Sequence, residues 1–182
     1  GSGSPLGSVV LRESELRTRI EDFTRECIAV LGMYDTPFHL ELFVTESGEL
    51  VFLEVGGRVG GSEVPHLVNK LFGVNLYEAW LRALSGESVD LPPKSGDPSG
   101  GWLVLPKPDG LPLRVRRASP MKERFETIWR ELVPRPGQVL EPGGSYDALH
   151  SGRFILLHED QQRVTDDIHR IIETFEFEVE QP

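Results

Sequence analysis

The sequence predicts an α+β fold in which an antiparallel hairpin with flanking helices is followed by a small sheet-and-helix domain. Apolar and polar residues alternate from Phe38 to Thr45, a pattern typical of a strand with one buried face. A second apolar segment, Val51 to Val55, follows Ser47-Gly48, a pair that favours a tight turn. Apolar residues at intervals of three or four from Ser14 to Leu31 predict an amphipathic helix before the hairpin.

Three helices are predicted around the hairpin. The first spans Ser14 to Leu31, and Gly32 is suited to end it as a left-handed residue. The second spans Ser62 to Leu71, with Ser62 as its cap and Gly73 as its end. The third begins after Asn75, a favoured capping residue, and continues through Leu84.

The second half of the chain predicts three strands and two helices. The strands are expected at Gly101 to Pro106, Leu111 to Ala118 and Arg153 to His158; the helices are expected at Met121 to Leu132 and from about Asp160 onward. The stretch from Pro134 to Gly152 is rich in turn residues. The acidic tail after Phe175 alternates, so it predicts either a short strand or a frayed helix end.

These patterns predict two domains joined by a linker. Residues 1–8, GSGSPLGS, have the composition of an engineered linker and are expected to lie outside the fold. The first domain is expected at residues 9–86, and the second at residues 102–182. Residues 87–101 are rich in glycine, proline and serine, which is typical of a boundary.

Composition and charge exclude several functional classes. The 182-residue chain has a net charge of −10, which argues against non-specific binding to nucleic acid or an anionic membrane. No apolar segment approaches the ~20 residues of a membrane span. Cys27 is the single cysteine, so no disulfide framework is expected. A cytoplasmic location is expected instead. The chain has no Walker P-loop, no G-x-S-x-G and no G-x-G-x-x-G after a strand, which argues against P-loop, hydrolase and dehydrogenase functions.

The hairpin carries two carboxylates in an unusual relationship. If Ser47 and Gly48 form a two-residue turn, Glu41 pairs with Glu54 and Phe43 pairs with Phe52. Opposed carboxylates repel each other, and a hard divalent cation that takes both as ligands would relieve that repulsion. The spacing leaves two alternatives open, namely a solvated or arginine-paired couple and a different strand register.

A glycine-rich loop follows the second carboxylate. It places Arg58 among four glycines that end with Gly60 and Gly61. Glycines allow a ligand to approach the backbone closely, and an arginine offers a fork of donors to phosphate or carboxylate oxygens. The start of the second helix would add positive potential beside this loop. This combination predicts an anion-binding loop.

Hairpin and loop together resemble the C-terminal half of an ATP-grasp domain. In that family an H-x-E pattern holds the first acidic residue, matched here by His39-Leu40-Glu41. An E-x-N-x-R pattern holds the second, matched by Glu54 and Arg58, with Gly56 in place of the asparagine. The E-x-G-x-R version is common in the branch that resembles amino-acid ligases. The second domain also resembles the region that follows the ATP-grasp core in those ligases.

The resemblance implies an ATP-dependent carboxylate–amine ligase that forms an amide bond through an acyl phosphate. It implies that Glu41 and Glu54 bind Mg²⁺ or Mn²⁺ with ATP, and that Arg58 is catalytic and contacts phosphate. Backbone amides near Gly60 and Gly61 would approach the intermediate. The implied substrates are a small carboxylate and an amine, with amino acids as candidates.

The family's adenine pocket and phosphate-binding lysines lie upstream of such a segment. We therefore expect the chain to be a piece of a larger ligase whose N-terminal half is its partner. A face around Phe43 and Phe52 is then expected to be exposed and to pair with another copy as a homodimer. The alternative function is a non-catalytic binding or interaction domain with a degenerate ATP-grasp site.

Overall fold

The computed structural model describes residues 3–93, 96–143 and 150–182. Its elements in chain order are β1 (Leu6–Val9), α1 (Glu15–Leu31), β2 (His39–Val44), β3 (Leu50–Gly56), α2 (Val64–Phe72), α3 (Leu76–Leu84), β4 (Gly100–Pro106), β5 (Leu113–Ala118), β6 (Ile128–Leu132), β7 (Val139–Leu140), β8 (His150–Leu157), α4 (Gln161–Thr174) and β9 (Phe177–Glu180). Parts of the expected N-terminal linker (1–2), interdomain linker (94–95) and turn-rich stretch (144–149) lie outside the described residues.

The chain forms two compact units, whose boundaries differ from the expected domains. One unit is Leu11–Pro98, and the other combines Gly1–Val10 with Ser99–Pro182. The N-terminal residues join the second unit because β1 pairs antiparallel with β4, with Leu6 opposite Val104. The expectation that residues 1–8 lie outside the fold is therefore wrong for residues 6–8.

The second unit contains an antiparallel sheet of order β1-β4-β8-β6 and a three-stranded sheet of order β7-β5-β9. Helix α4 contributes Val164, Ile168 and Ile171 to a core shared with Leu103 and Phe154. Gly101 in β4 is needed here, because a Cβ at that position would lie 2.9 Å from Cγ1 of Val164. The acidic tail forms a strand, β9, which decides between the two alternatives for that segment.

The predicted helix at Met121 to Leu132 is wrong, since its second half is the strand β6. Consecutive turns precede it, in which Phe125 N–H donates to the carbonyl of Met121 at 3.0 Å. Phe125 and Ile128 are buried, but Trp129 and Leu132 are 40% and 50% exposed. The four apolar residues that suggested a helix therefore do not share one buried face. The open edge of β8 accepts β6 as a neighbour, and this pairing outweighs the local pattern.

The unit at Leu11–Pro98 contains the β2-β3 hairpin with α1, α2 and α3. The Ser14 hydroxyl accepts from Arg17 N–H at 3.2 Å at the start of α1, and Gly32 ends that helix at φ 65°, as predicted. Asn75 caps α3 as predicted, by accepting from Glu78 N–H at 3.3 Å. Within the described ranges, the structure contains no helix long and apolar enough to span a bilayer.

Candidate functional site

The two candidate metal ligands are direct neighbours across the hairpin. Glu41 in β2 and Glu54 in β3 are cross-strand partners, which confirms the predicted pairing. Both residues are exposed, and the Glu41 side chain retains 47% of its accessible surface. The carboxylates therefore carry their charge on a solvent-facing surface, where a cation can reach them.

The hairpin reaches this pairing by a different route from the predicted one. Its turn has three residues rather than two, because Thr45 N–H donates to the Glu49 carbonyl at 2.9 Å around Glu46, Ser47 and Gly48. Gly48 has φ 80°, the left-handed conformation that ends such three-residue turns. The register at the tip is consequently one residue away from the predicted one.

A bulge in β3 restores the predicted register at the carboxylates. The register shifts between Glu41 and Leu42, so that Leu53 is the extra residue of the longer strand. Near the tip the pairs are Leu42 with Phe52, Phe43 with Val51 and Val44 with Leu50. The predicted pair of Phe43 with Phe52 is wrong for this reason.

Arg58 lies in the loop directly after β3. Its backbone N–H donates to the Gly56 carbonyl at 2.8 Å, which turns the chain sharply after the strand. Its Nη1 donates to the carbonyl of Val59 at 3.1 Å, and the residue is exposed. Val59 is 7% exposed and anchors the loop. The guanidinium is thus tethered to its own loop by one hydrogen bond. Among the described residues, its other N–H groups have no hydrogen-bond acceptor.

The two glycines after Val59 have different environments. A Cβ at Gly60 would lie 3.2 Å from Cγ1 of Val64 and 3.3 Å from Cδ2 of His39, so both side chains would have to shift slightly to admit a larger residue. A Cβ at Gly61 would meet no atom within 4 Å, and Gly61 is exposed. Gly61 therefore offers open space beside its backbone, whereas Gly60 is buried.

Helix α2 begins differently from the prediction. Its N-cap is Glu63 rather than Ser62, and no side chain forms a capping hydrogen bond. Ser62 instead has φ 58°, and its buried hydroxyl has no hydrogen-bond partner among the described residues. Strained backbone and unpaired buried polar atoms concentrate at functional sites, and the sequence held no signal for either.

The carboxylates of the hairpin suit a hard cation that is also bound by phosphate oxygens and water. The described residues contain no group of three or more histidine, cysteine, aspartate or glutamate side chains that could hold a metal. Mg²⁺ commonly takes one or two carboxylates and completes its shell with phosphate oxygens and water. Glu41 and Glu54 fit that use, and His39 Nδ1 lies 3.8 Å from Oε1 of Glu41.

The arginine cluster of β5 belongs to a surface of ion pairs. Arg116 Nε lies 3.4 Å from Glu180 Oε2, and Arg117 Nη2 lies 2.7 Å from Glu176 Oε2. Arg114 is the cross-strand partner of Glu180. This arrangement is typical of a salt-bridged surface.

The comparisons with known proteins agree on the fold. No protein-family model matches the chain. It is 25% identical over 134 residues to an L-arginine-specific L-amino acid ligase of Bacillus subtilis, a match that covers 73% of this chain and 30% of that protein. The crystal structure of an L-amino acid ligase from Bacillus licheniformis superposes with a TM-score of 0.68 and 19% identity, covering 94% of this chain and 43% of that one.

A second solved structure gives the same result. Phosphoribosylglycinamide synthetase from Anaerococcus prevotii superposes with a TM-score of 0.64 at 14% identity, covering 96% of this chain and 45% of that one. The chain thus spans less than half the length of the relatives it matches. The resemblance to ATP-grasp ligases that the hairpin and loop motifs predicted is confirmed, and the chain has an ATP-grasp fold over part of the length of those proteins.

Proposed function

We propose that the chain is part of an ATP-dependent carboxylate–amine ligase that forms an amide bond through an acyl phosphate. The observation that carries this proposal is the pairing of Glu41 with Glu54 immediately before the loop of Arg58. Directly opposed carboxylates destabilise a hairpin, so their presence is best explained by a function that needs both. The ligases with which the chain shares sequence and fold support the same reaction class.

Glu41 and Glu54 are proposed to bind the divalent cation that accompanies ATP. Mg²⁺, or Mn²⁺ in its place, would neutralise phosphate charge as the phosphoryl group is transferred. The two glutamates lie on neighbouring strands, so the backbone hydrogen bonds of the hairpin fix their separation. A shared cation would still have to order both exposed side chains, but the two strands already hold the carboxylates within reach of each other.

Arg58 is proposed to neutralise the transferred phosphoryl group or the acyl phosphate. Its planar guanidinium can donate two parallel hydrogen bonds to phosphate oxygens. The bond from Nη1 to the Val59 carbonyl limits the directions in which the guanidinium points. Such preorganised positive charge stabilises the transition state more than the ground state.

The loop backbone is proposed to contribute at Gly60 and Gly61. Gly61 leaves open space where a side chain would stand, which allows an anionic group to approach the backbone N–H groups. Gly60 is buried and packs closely against Val64 and His39. Substrates are proposed to be a small carboxylate and an amine, with amino acids the favoured class because the ligases that resemble this chain are L-amino acid ligases by name.

A non-catalytic interaction domain is the second candidate. The register places Phe43 and Phe52 on opposite faces of the hairpin, so the expectation that they share one exposed face is wrong. The observation that favours an interaction domain is the exposure of apolar side chains on the face of Phe43, which is 58% exposed beside its cross-strand partner Val51 at 41%. Such side chains are typical of a surface that another chain or domain covers. We propose that this surface contacts a second copy of the chain or another part of the same protein.

Calorimetric titration with Mg·ATP and an ATP turnover assay test the proposed function. Both should be applied to the 182-residue chain and to the protein expressed from its complete reading frame. Glu41→Gln and Glu54→Gln should each remove most turnover in the latter, whereas Glu46→Gln in the turn serves as a matched control with little effect. Near-normal turnover of Glu54→Gln would refute the metal assignment, and no nucleotide binding in any form would favour the interaction domain.

A further inference from the structure

The side chain of His39 lies between the first candidate metal ligand and the glycine loop. Its Nδ1 is 3.8 Å from Oε1 of Glu41 on the same strand. A Cβ built on Gly60 would lie 3.3 Å from Cδ2 of His39. One edge of a single imidazole ring therefore faces a carboxylate while another packs against the loop.

The same histidine also lies at the point where the loop leaves the hairpin. His39 is the cross-strand partner of Gly56, whose carbonyl accepts from Arg58 N–H at 2.8 Å. The loop then returns to the ring at Gly60, which is buried. The segment that carries Arg58 thus begins beside the backbone of His39 and ends beside its ring.

We propose that His39 is a positioning residue that fixes the spacing between Glu41 and the loop of Arg58. This inference rests on the proposed function, because it assigns a purpose to that spacing. A rigid ring can act as a spacer, since its width does not change with rotamer as that of a flexible side chain does. The cation held by Glu41 and the anion held by Arg58 must lie at a fixed separation for phosphoryl transfer.

Val64 provides a matched control. Its Cγ1 would lie 3.2 Å from a Cβ on Gly60, so it packs against the loop from α2 much as His39 does from β2. The structure gives no contact between Val64 and the candidate metal ligands among the described residues. Val64→Ala therefore loosens the loop without changing the surroundings of Glu41.

The spacer itself can be tested by a double-mutant cycle on the 182-residue chain. Gly60→Ala should destabilise the fold because the new methyl group collides with the ring of His39 and with Val64. In the His39→Ala background only the contact with Val64 remains, so the same methyl group should cost less stability. Denaturant unfolding should give a coupling of at least about fivefold in the unfolding equilibrium constant. Additive effects would overturn the proposed packing role.

The effect on the site is tested in the protein expressed from the complete reading frame. His39→Ala and His39→Leu should each raise the Mg²⁺ concentration for half-maximal ATP turnover by about tenfold, as changes beside metal ligands commonly do. Leucine keeps bulk against Gly60 but offers no nitrogen to Glu41, whereas His39→Gln should recover part of the loss. Val64→Ala should leave the Mg²⁺ requirement within about twofold of the wild type.

Equal Mg²⁺ requirements in all these variants would overturn the positioning role at Glu41. A wild-type protein without Mg·ATP turnover would contradict the proposed function instead. The unfolding cycle would still decide whether His39 and Gly60 are coupled. The two failures are therefore distinguishable.

Discussion

Glu41 faces Glu54 across the hairpin because Leu53 is an extra residue in β3. With the observed three-residue turn, an unbroken ladder would place Leu53 opposite Glu41 and move Glu54 to the other face. Bulges commonly occur next to functional sites, where they redirect a side chain. The bulge thus brings together two carboxylates that hairpin energetics alone would separate.

Removing one of the two opposed charges should stabilise the metal-free chain. We expect Glu54→Gln to raise the free energy of unfolding by up to about 0.5 kcal/mol, because directly opposed like charges repel and both side chains are solvated. Chemical denaturation at low ionic strength measures the change, and added salt should reduce it. Glu49→Gln, outside the pair, is the comparison. A clear loss of stability in Glu54→Gln would show that the two carboxylates do not repel each other in the folded chain.

Arg58 should matter for phosphoryl transfer and little for folding. We expect Arg58→Lys in the protein from the complete reading frame to lower turnover by about 10²-fold, because lysine cannot present two parallel donors to one phosphoryl group. The unfolding midpoint should change little, since the side chain is exposed and makes one bond to its own loop. Arg25→Lys, on the exposed face of α1, controls for loss of a guanidinium elsewhere. Full activity in Arg58→Lys would remove Arg58 from the site.

Local patterns predicted most elements of the Leu11–Pro98 unit and the pairing of Glu41 with Glu54. The turn could not be settled from sequence, because Gly48 suits either the second position of a two-residue turn or the third of a longer one. A three-residue turn and a bulge each shift the register by one residue in opposite senses. The two errors cancel at the carboxylates, while the pairs near the tip differ.

Elements that depend on distant partners were harder to predict. Leu6–Val9 has no strand pattern of its own and becomes β1 by pairing with β4, more than ninety residues away. Ile128–Leu132 has helical spacing but becomes β6 against β8. In both segments, hydrogen bonds to a sheet edge decide the structure, and an isolated stretch of sequence does not contain that information.

Asp97 should make the Leu11–Pro98 unit more stable at neutral than at acidic pH. The hydrogen bond from Arg12 Nε, at 2.9 Å, lowers the pKa of Asp97, with further help from Glu13 N–H and from Arg17 at 3.4 Å. A carboxyl whose folded pKa is depressed stabilises the fold above its unfolded value of about 3.9 and loses that contribution as pH falls below it.

The thermal midpoint of Asp97→Asn should therefore lie below that of the wild type at pH 7. The difference should close as the pH falls below about 3.9. Asp90→Asn, at an exposed position, should give a difference that is small throughout. A constant difference for Asp97→Asn between pH 7 and pH 2.5 would show that the stabilisation does not depend on the carboxylate charge.

Ser62 should be a position where the chain gains stability by losing its side chain. A left-handed conformation costs a residue with a Cβ about 1–2 kcal/mol, and a buried hydroxyl without a partner adds a further penalty. Against this, glycine increases the entropy of the unfolded chain by the equivalent of about 0.5–1 kcal/mol. We therefore expect Ser62→Gly to raise the free energy of unfolding by about 1 kcal/mol. Ser62→Ala removes the hydroxyl but keeps the Cβ at φ 58°, so it separates the hydroxyl contribution from the backbone contribution. A gain in Ser62→Ala would measure the hydroxyl contribution, and a loss of stability in Ser62→Gly would contradict the strain argument.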